Sequence, residues 1–198
     1  MSNLGFKTHM SEDVIDDIIT DHREMEDYYK KYKSAENIED SKKWFNMFLW
    51  EICRHSVAEE IVIYTMMEKK DEKGKELAYK SREDHRRLKE LLEDLRKEKD
   101  NIKFDEKFDI VFKELEEHIA SEEENDLVYL KESFTLDERM KASKSFAMKK
   151  KLAPTRPHPG IPDKPTAIEM GLGLLVAPLD KIRDVFTSFP EPKETSAI

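Results

Sequence analysis

Apolar residues recur three or four positions apart through most of the chain, and the gaps between them are filled with Glu, Lys, Asp and Arg. That period matches an α-helix, in which such positions share one face, and not a strand, whose faces alternate every second residue. The pattern predicts a first helix over 11–33, with Ser11 as its N-cap, Asp13 in its first turn, and Val14, Ile18, His22, Met25 and Tyr29 facing inward. A second helix is expected over 39–70 on the face Phe48, Ile52, His55, Glu59, Val62 and Met66, and Asp71 to Gly74 make the turn after it. The third, over 75–99, carries Ala78, Ser81, His85, Leu88, Leu92 and Leu95. The fourth, over 104–132, carries Phe108, Val111, Leu115, His118, Glu122 and Tyr129. Thr135 with Glu138 three residues on forms a capping box that opens a shorter fifth helix, to about residue 149.

No proline precedes Pro154, and five of the eight prolines fall between Pro154 and Pro165, so regular helix stops there. Residues 166–189 then resume an apolar pattern through Ile168, Leu172, Leu175, Leu179, Ile182, Val185 and Phe186. Such a face needs a cover, which predicts a docked helical tail. The expected fold is all-α: an antiparallel up-down-up-down four-helix bundle over 11–134. Residues 135–198 then supply the short helix, the Pro-rich connection and the tail.

A length of 198 residues suits one domain with an appendage. Charged residues make up 40% of the chain, against a usual share of about 25%, so the core must be economical. With 35 basic and 44 acidic side chains the net charge is −9, which disfavours nonspecific nucleic-acid binding, because that needs a basic surface to displace phosphate counterions. The longest strongly apolar run, Gly171 to Leu179, is far short of the ~20 residues that span a bilayer, so no membrane partner is expected. The start, Met1 to Lys7, lacks a secretory signal pattern, and a lone Cys53 fits a reducing compartment; both point to the cytoplasm.

Four of the six histidines, His22, His55, His85 and His118, lie one per helix in the middle of an apolar stripe, at intervals of 33, 30 and 33 residues. Two helix hairpins of equal length place them at one depth of a bundle. His55 and His118 each carry a glutamate four residues on, Glu59 and Glu122, one turn away on the same face. A carboxylate at that depth is costly to bury unless it is paired or bound to a cation. Imidazole with carboxylate suits iron, zinc or manganese, and two carboxylates could bridge a pair of ions. Glu is so common here that the spacing alone is weak, and His22 with Glu26 also satisfies it. The repetition is stronger: 55–68 (HSVAEEIVIYTMME) and 118–132 (HIASEEENDLVYLKE) echo each other, as duplicated hairpins would. His9 and His158 lie outside the stripes and are not candidates.

These residues resemble the hemerythrin-like, or HHE cation-binding, family, whose pattern H…H-x-x-x-E…H…H-x-x-x-E reads here as His22, His55 with Glu59, His85, and His118 with Glu122. Ile18-Ile19-Thr20-Asp21-His22 and the pairs Glu59-Glu60 and Glu122-Glu123 look similar as well, and the segments around Pro154–Pro159 and Pro162–Pro165 resemble extensions of fungal members. The resemblance implies two non-haem iron ions, oxo- or hydroxo-bridged, with Glu59 and Glu122 between them and the four histidines completing the shell. It implies O2, peroxide or a similar small molecule as the ligand, in oxygen binding or oxidative-stress redox chemistry.

Two departures stand out. Oxygen-carrying hemerythrins use a fifth histidine one turn from the third, where this chain has Ser81 and Lys89. Glu26 is the first candidate replacement, with Glu60 and Glu123 behind it. Many members also have proline where Thr65 and Val128 stand. Enzymatic turnover, reversible oxygen binding, an iron store or sensor without turnover, and a metal-free interaction bundle all stay open at this point.

Overall fold

A computed structural model describes residues 12–157 and, in the tail, residues 180, 183–184 and 187–191. Among the described residues the α-helices run in order α1 (Val14–Ser34), α2 (Ile38–Ile61), α3 (Ile63–Glu68), α4 (Glu72–Lys97), α5 (Asn101–Ser121), α6 (Leu127–Ser133) and α7 (Leu136–Leu152). A π-helical turn, Glu122–Asp126, joins α5 to α6. No strand occurs among the described residues. The four expected bundle helices are therefore α1, α2 with α3, α4, and α5 with α6, packed α1 on α2, α3 on α4 and α4 on α5. Helix α7 lies against α2 and α1.

Short polar side chains set where the helices begin. Asp13, not Ser11, caps α1 by accepting from the Ile15 amide; Ser11 lies outside the described residues. Asn37, Asp71 and Asp100 cap α2, α4 and α5 in the same way, each satisfying an amide that the helix leaves without a partner. The capping box at α7 is present as expected, with Thr135 accepting from the Glu138 amide and Glu138 accepting from Thr135.

The expected turn at Asp71 to Gly74 is corrected. The chain turns just before Asp71, and Gly74 lies inside the first turn of α4, its amide bonded to Asp71 at 2.8 Å. Glycine is needed there because a Cβ would meet the Met67 carbonyl oxygen at 2.2 Å and the Tyr129 hydroxyl at 2.6 Å.

Two apolar cores fill the bundle, one toward each end. The first gathers Met25, Tyr28, Tyr32, Phe45, Phe48, Leu95 and Phe108 among others. Phe108 is its hub, edge-on to Tyr32 at 4.7 Å, Phe48 at 4.9 Å and Phe45 at 5.2 Å. The second gathers Val14, Ile18, Ile63, Tyr64, Met67, Leu127 and Leu130, and α7 adds Ala142 and Phe146 to it.

The tail meets the first core, where Phe189 packs, the Asn46 amide donates to the Ser188 carbonyl, and Arg156 holds Asp184 at 2.7 Å. Most of the expected tail helix, including Ile168, Leu172, Leu175, Leu179, Ile182, Val185 and Phe186, lies outside the described residues, as does His158.

Candidate metal centre

Between the two cores, α1, α2, α4 and α5 each contribute one buried histidine, and His22, His55, His85 and His118 meet there with Glu59 and Glu122. None of the six exposes more than 4% of its surface. One ligand atom each from His22, His55, Glu59 and Glu122 falls within 4.8 Å of the others, and so does one each from Glu59, His85 and His118. Each glutamate reaches both histidine pairs. Glu59 Oε2 lies 3.1 Å from His55 Nε2 and 3.5 Å from His85 Nε2. Glu122 Oε2 lies 3.3 Å from His22 Nε2 and 3.7 Å from His118 Nε2.

The inward atoms are poorly satisfied by the protein. His22 Nε2, His55 Nε2, both oxygens of Glu59 and Oε2 of Glu122 are buried with no aligned hydrogen-bond partner among the described residues. Buried polar atoms without partners are uncommon in folded proteins. Imidazole nitrogen and carboxylate oxygen together form the donor set of a borderline divalent or trivalent cation. The residues present therefore fit a metal cation, and Glu59 belongs to both groups of ligand atoms.

Behind each histidine stands a carboxylate. His22 Nδ1 faces Glu123 at 2.9 Å, His55 Nδ1 faces Asp21 at 2.9 Å, His85 Nδ1 faces Glu60 at 3.1 Å and His118 Nδ1 faces Asp84 at 3.6 Å. For His22, His55 and His85 the carboxylate accepts from Nδ1–H, which turns Nε2 to the centre, whereas Asp84 lies beyond hydrogen-bond distance of His118 Nδ1. Glu60 and Glu123 thus stand behind histidines rather than beside the inward atoms.

Glu26 is not brought to the centre: its carboxylate is about a quarter exposed on α1 and pairs with Arg23 at 2.6 Å. The position one turn before His85 holds Ser81, which donates to the buried Asp126 at 2.7 Å. Tyr29 and Tyr129 also end elsewhere, donating to Asp109 and Asp71.

Electrostatics at the centre reflect this crowding of carboxylates. Burial resists charging His55, yet Glu59 and Asp21 outweigh it and push its pKa up to about 10. His85 goes the other way, down to about 3, through burial and the neighbouring His118. Asp126 is pushed up to about 7 by burial and by the charge of Glu122.

Three contributors escape a reading by helical period: Tyr64, Asp21 and Asp84. Tyr64 Oη donates to Glu122 Oε1 at 3.3 Å and lies 3.1 Å from His85 Nε2. It points inward because α2 breaks at Val62 and the buried face shifts by one residue, so that Ile63, Tyr64 and Met67 replace the expected Val62 and Met66. Asp21 and Asp84 did leave a signal, since each directly precedes a core histidine. One constant step along the chain carries Asp21, His22, His55, Glu59 and Glu60 onto Asp84, His85, His118, Glu122 and Glu123.

Fold and site together define an all-α bundle protein with a buried histidine and carboxylate centre. The chain matches the family model described as Hemerythrin HHE cation binding domain over residues 13–130, and it belongs to that family. It is 38% identical over 179 residues to an uncharacterized hemerythrin-like protein of Schizosaccharomyces pombe, covering 89% of this chain and 88% of that one. No solved structure matches the chain. Among the described residues, no helix is long and apolar enough to cross a membrane.

Proposed function

We propose that the protein is a cytoplasmic non-haem diiron protein whose ligand is O2, peroxide or a molecule of that size. The observation that carries this reading is the sharing of two buried glutamates between two histidine pairs, with the inward atoms of His22, His55, Glu59 and Glu122 lacking aligned partners. His22 and His55 would hold one ion, His85 and His118 the other, and Glu59 and Glu122 both. Iron, when bound, supplies reversible electron transfer and a coordination position that a small ligand can occupy.

The protein's own groups support that chemistry in three ways. Asp21, Glu60 and Glu123 fix the tautomer and aim of His55, His85 and His22. The two apolar cores on either side, with Ile18, Met25, Ile52 and Val111 at 0–1% exposure, keep bulk water away from the glutamates. Tyr64 holds a proton at Oη, aimed at Glu122 and touching His85. Burial and the surrounding carboxylates push its pKa up, so the phenol stays protonated.

Elemental analysis of the purified protein, with optical spectra before and after dithionite, tests the reading. Two irons per chain are expected, with near-ultraviolet and visible charge-transfer bands that bleach on reduction, and both are lost in His85→Ala. A single zinc, or no metal after anaerobic iron loading, overturns the diiron assignment. Iron bound without any response to O2 or peroxide marks an iron store or sensor instead.

A further inference from the structure

Of the four carboxylates that face the histidine Nδ1 atoms, Asp21 is held from outside the family's matched region. Its Oδ2 faces His55, while its Oδ1 accepts from Lys150 Nζ at 2.6 Å. Lys150 belongs to α7, beyond the residues 13–130 that match the family model. The ammonium is about 6% exposed and also pairs with Glu51. Asp21, Glu24 and Glu51 could hold a small cation between them, and Lys150 already supplies that charge. Arg54 fixes the same end of α7, donating from Nε to the Lys150 carbonyl at 3.0 Å. One turn earlier on α7, Phe146 packs edge-on against the His55 ring, with centroids 5.8 Å apart. Helix α7 thus bears on His55 twice, through a ring contact and through the partner of its Nδ1.

We infer that α7 is a working part of the metal centre, with Lys150 a positioning residue that fixes His55 through Asp21. Cation binding and α7 docking then strengthen each other. A carboxylate gripped at both oxygens cannot swing, so the imidazole it accepts from cannot turn. Without Lys150, Asp21 is a buried charge with one partner fewer, and His55 loses a fixed aim. Coupling of this kind is reciprocal: whatever the ammonium adds to cation affinity, the cation returns to α7 docking.

The inference rests on the proposed cation site, and cobalt(II) titration of the full chain separates the two. Groups behind a ligating histidine typically change metal affinity by about 10–100-fold, and Lys150→Met is expected to weaken cobalt binding by roughly that factor and to alter its visible ligand-field bands. Asp21→Asn is expected to do the same and keeps the test readable if Lys150→Met does not fold. Arg139→Ala breaks the Arg139–Asp13 pair at the far end of α7, leaves the Lys150–Asp21–His55 contacts in place, and should leave cobalt affinity unchanged. Hydrogen exchange should show cobalt slowing the amides of 146–152 in the wild type and not in Lys150→Met. Wild-type cobalt affinity in both Lys150→Met and Asp21→Asn, or an equal loss in Arg139→Ala, overturns the inference. His85→Ala that binds cobalt as the wild type does would overturn the cation site itself, and the inference with it.

Discussion

At Tyr64 the two halves of the centre stop being alike. The step that maps one hairpin onto the other carries Tyr64 onto Leu127, Ile18 onto Ser81 and Ile63 onto Asp126. The half built on His85 and His118 therefore has a hydroxyl above it and a Ser81–Asp126 pair beside it, where the other half has aliphatic carbon. Tyr64→Phe keeps the packing and removes only the hydroxyl. It should keep the wild-type metal content and lose about 1 kcal/mol of stability by urea unfolding, and, if the proposed function holds, slow the spectral change that peroxide produces. Glu26→Gln should leave metal content at the wild-type value, because Glu26 pairs with Arg23 on the surface and such pairs contribute about 0–1 kcal/mol. The four histidines and two glutamates were legible because a titratable group repeated inside an apolar stripe is unusual. Asp21 and Asp84 were legible only through their place directly before a core histidine in both repeats, since an acidic residue beside a helix stripe looks, taken singly, like one on a solvated face.

Helix existence followed from the apolar period, but helix continuity did not. Both expected long helices lose their regular form at a glutamate pair, α2 at Val62 just after Glu59-Glu60 and α5 at the π turn that begins with Glu122-Glu123, and neither break involves proline. Arg82 explains the first: it donates to the Glu60 carbonyl at 3.0 Å, and the Thr65 hydroxyl donates to the same oxygen, so the carbonyl freed by the break is still satisfied. Such long-range donors leave no local mark in the chain.

Where α3 meets α4, Gly74→Ala should destabilise by about 1–3 kcal/mol in denaturant titration, since the new methyl meets the fixed Met67 carbonyl. At the other end of α4, Glu98 accepts from the Asp100 and Lys99 amides and pairs with Lys107, which together hold its pKa at about 2 instead of 4.5. Its contribution is complete above pH 4.5 and disappears as pH falls through about 2. Urea midpoints of Glu98→Gln should accordingly vary less with pH across that window than those of the wild type.

Considered whole, the molecule is two greasy plugs with a charged stratum between them, and that layering bears on how it melts. Within each plug apolar contacts bind all four bundle helices to one another, whereas across the stratum the helices meet through buried histidines and carboxylates, several of whose inward atoms lack aligned partners. Stripped of cations, the stratum acts as a fault plane, and the plugs can lose their order one after the other. Ions that bind only the folded state weld it shut. Calorimetry of the stripped protein should give a broad transition whose van't Hoff enthalpy falls below the calorimetric one, and loading should merge it into a single sharp peak at higher temperature. An unloaded chain would then be distinguished less by a missing colour than by a seam along which proteases and chaperones could enter.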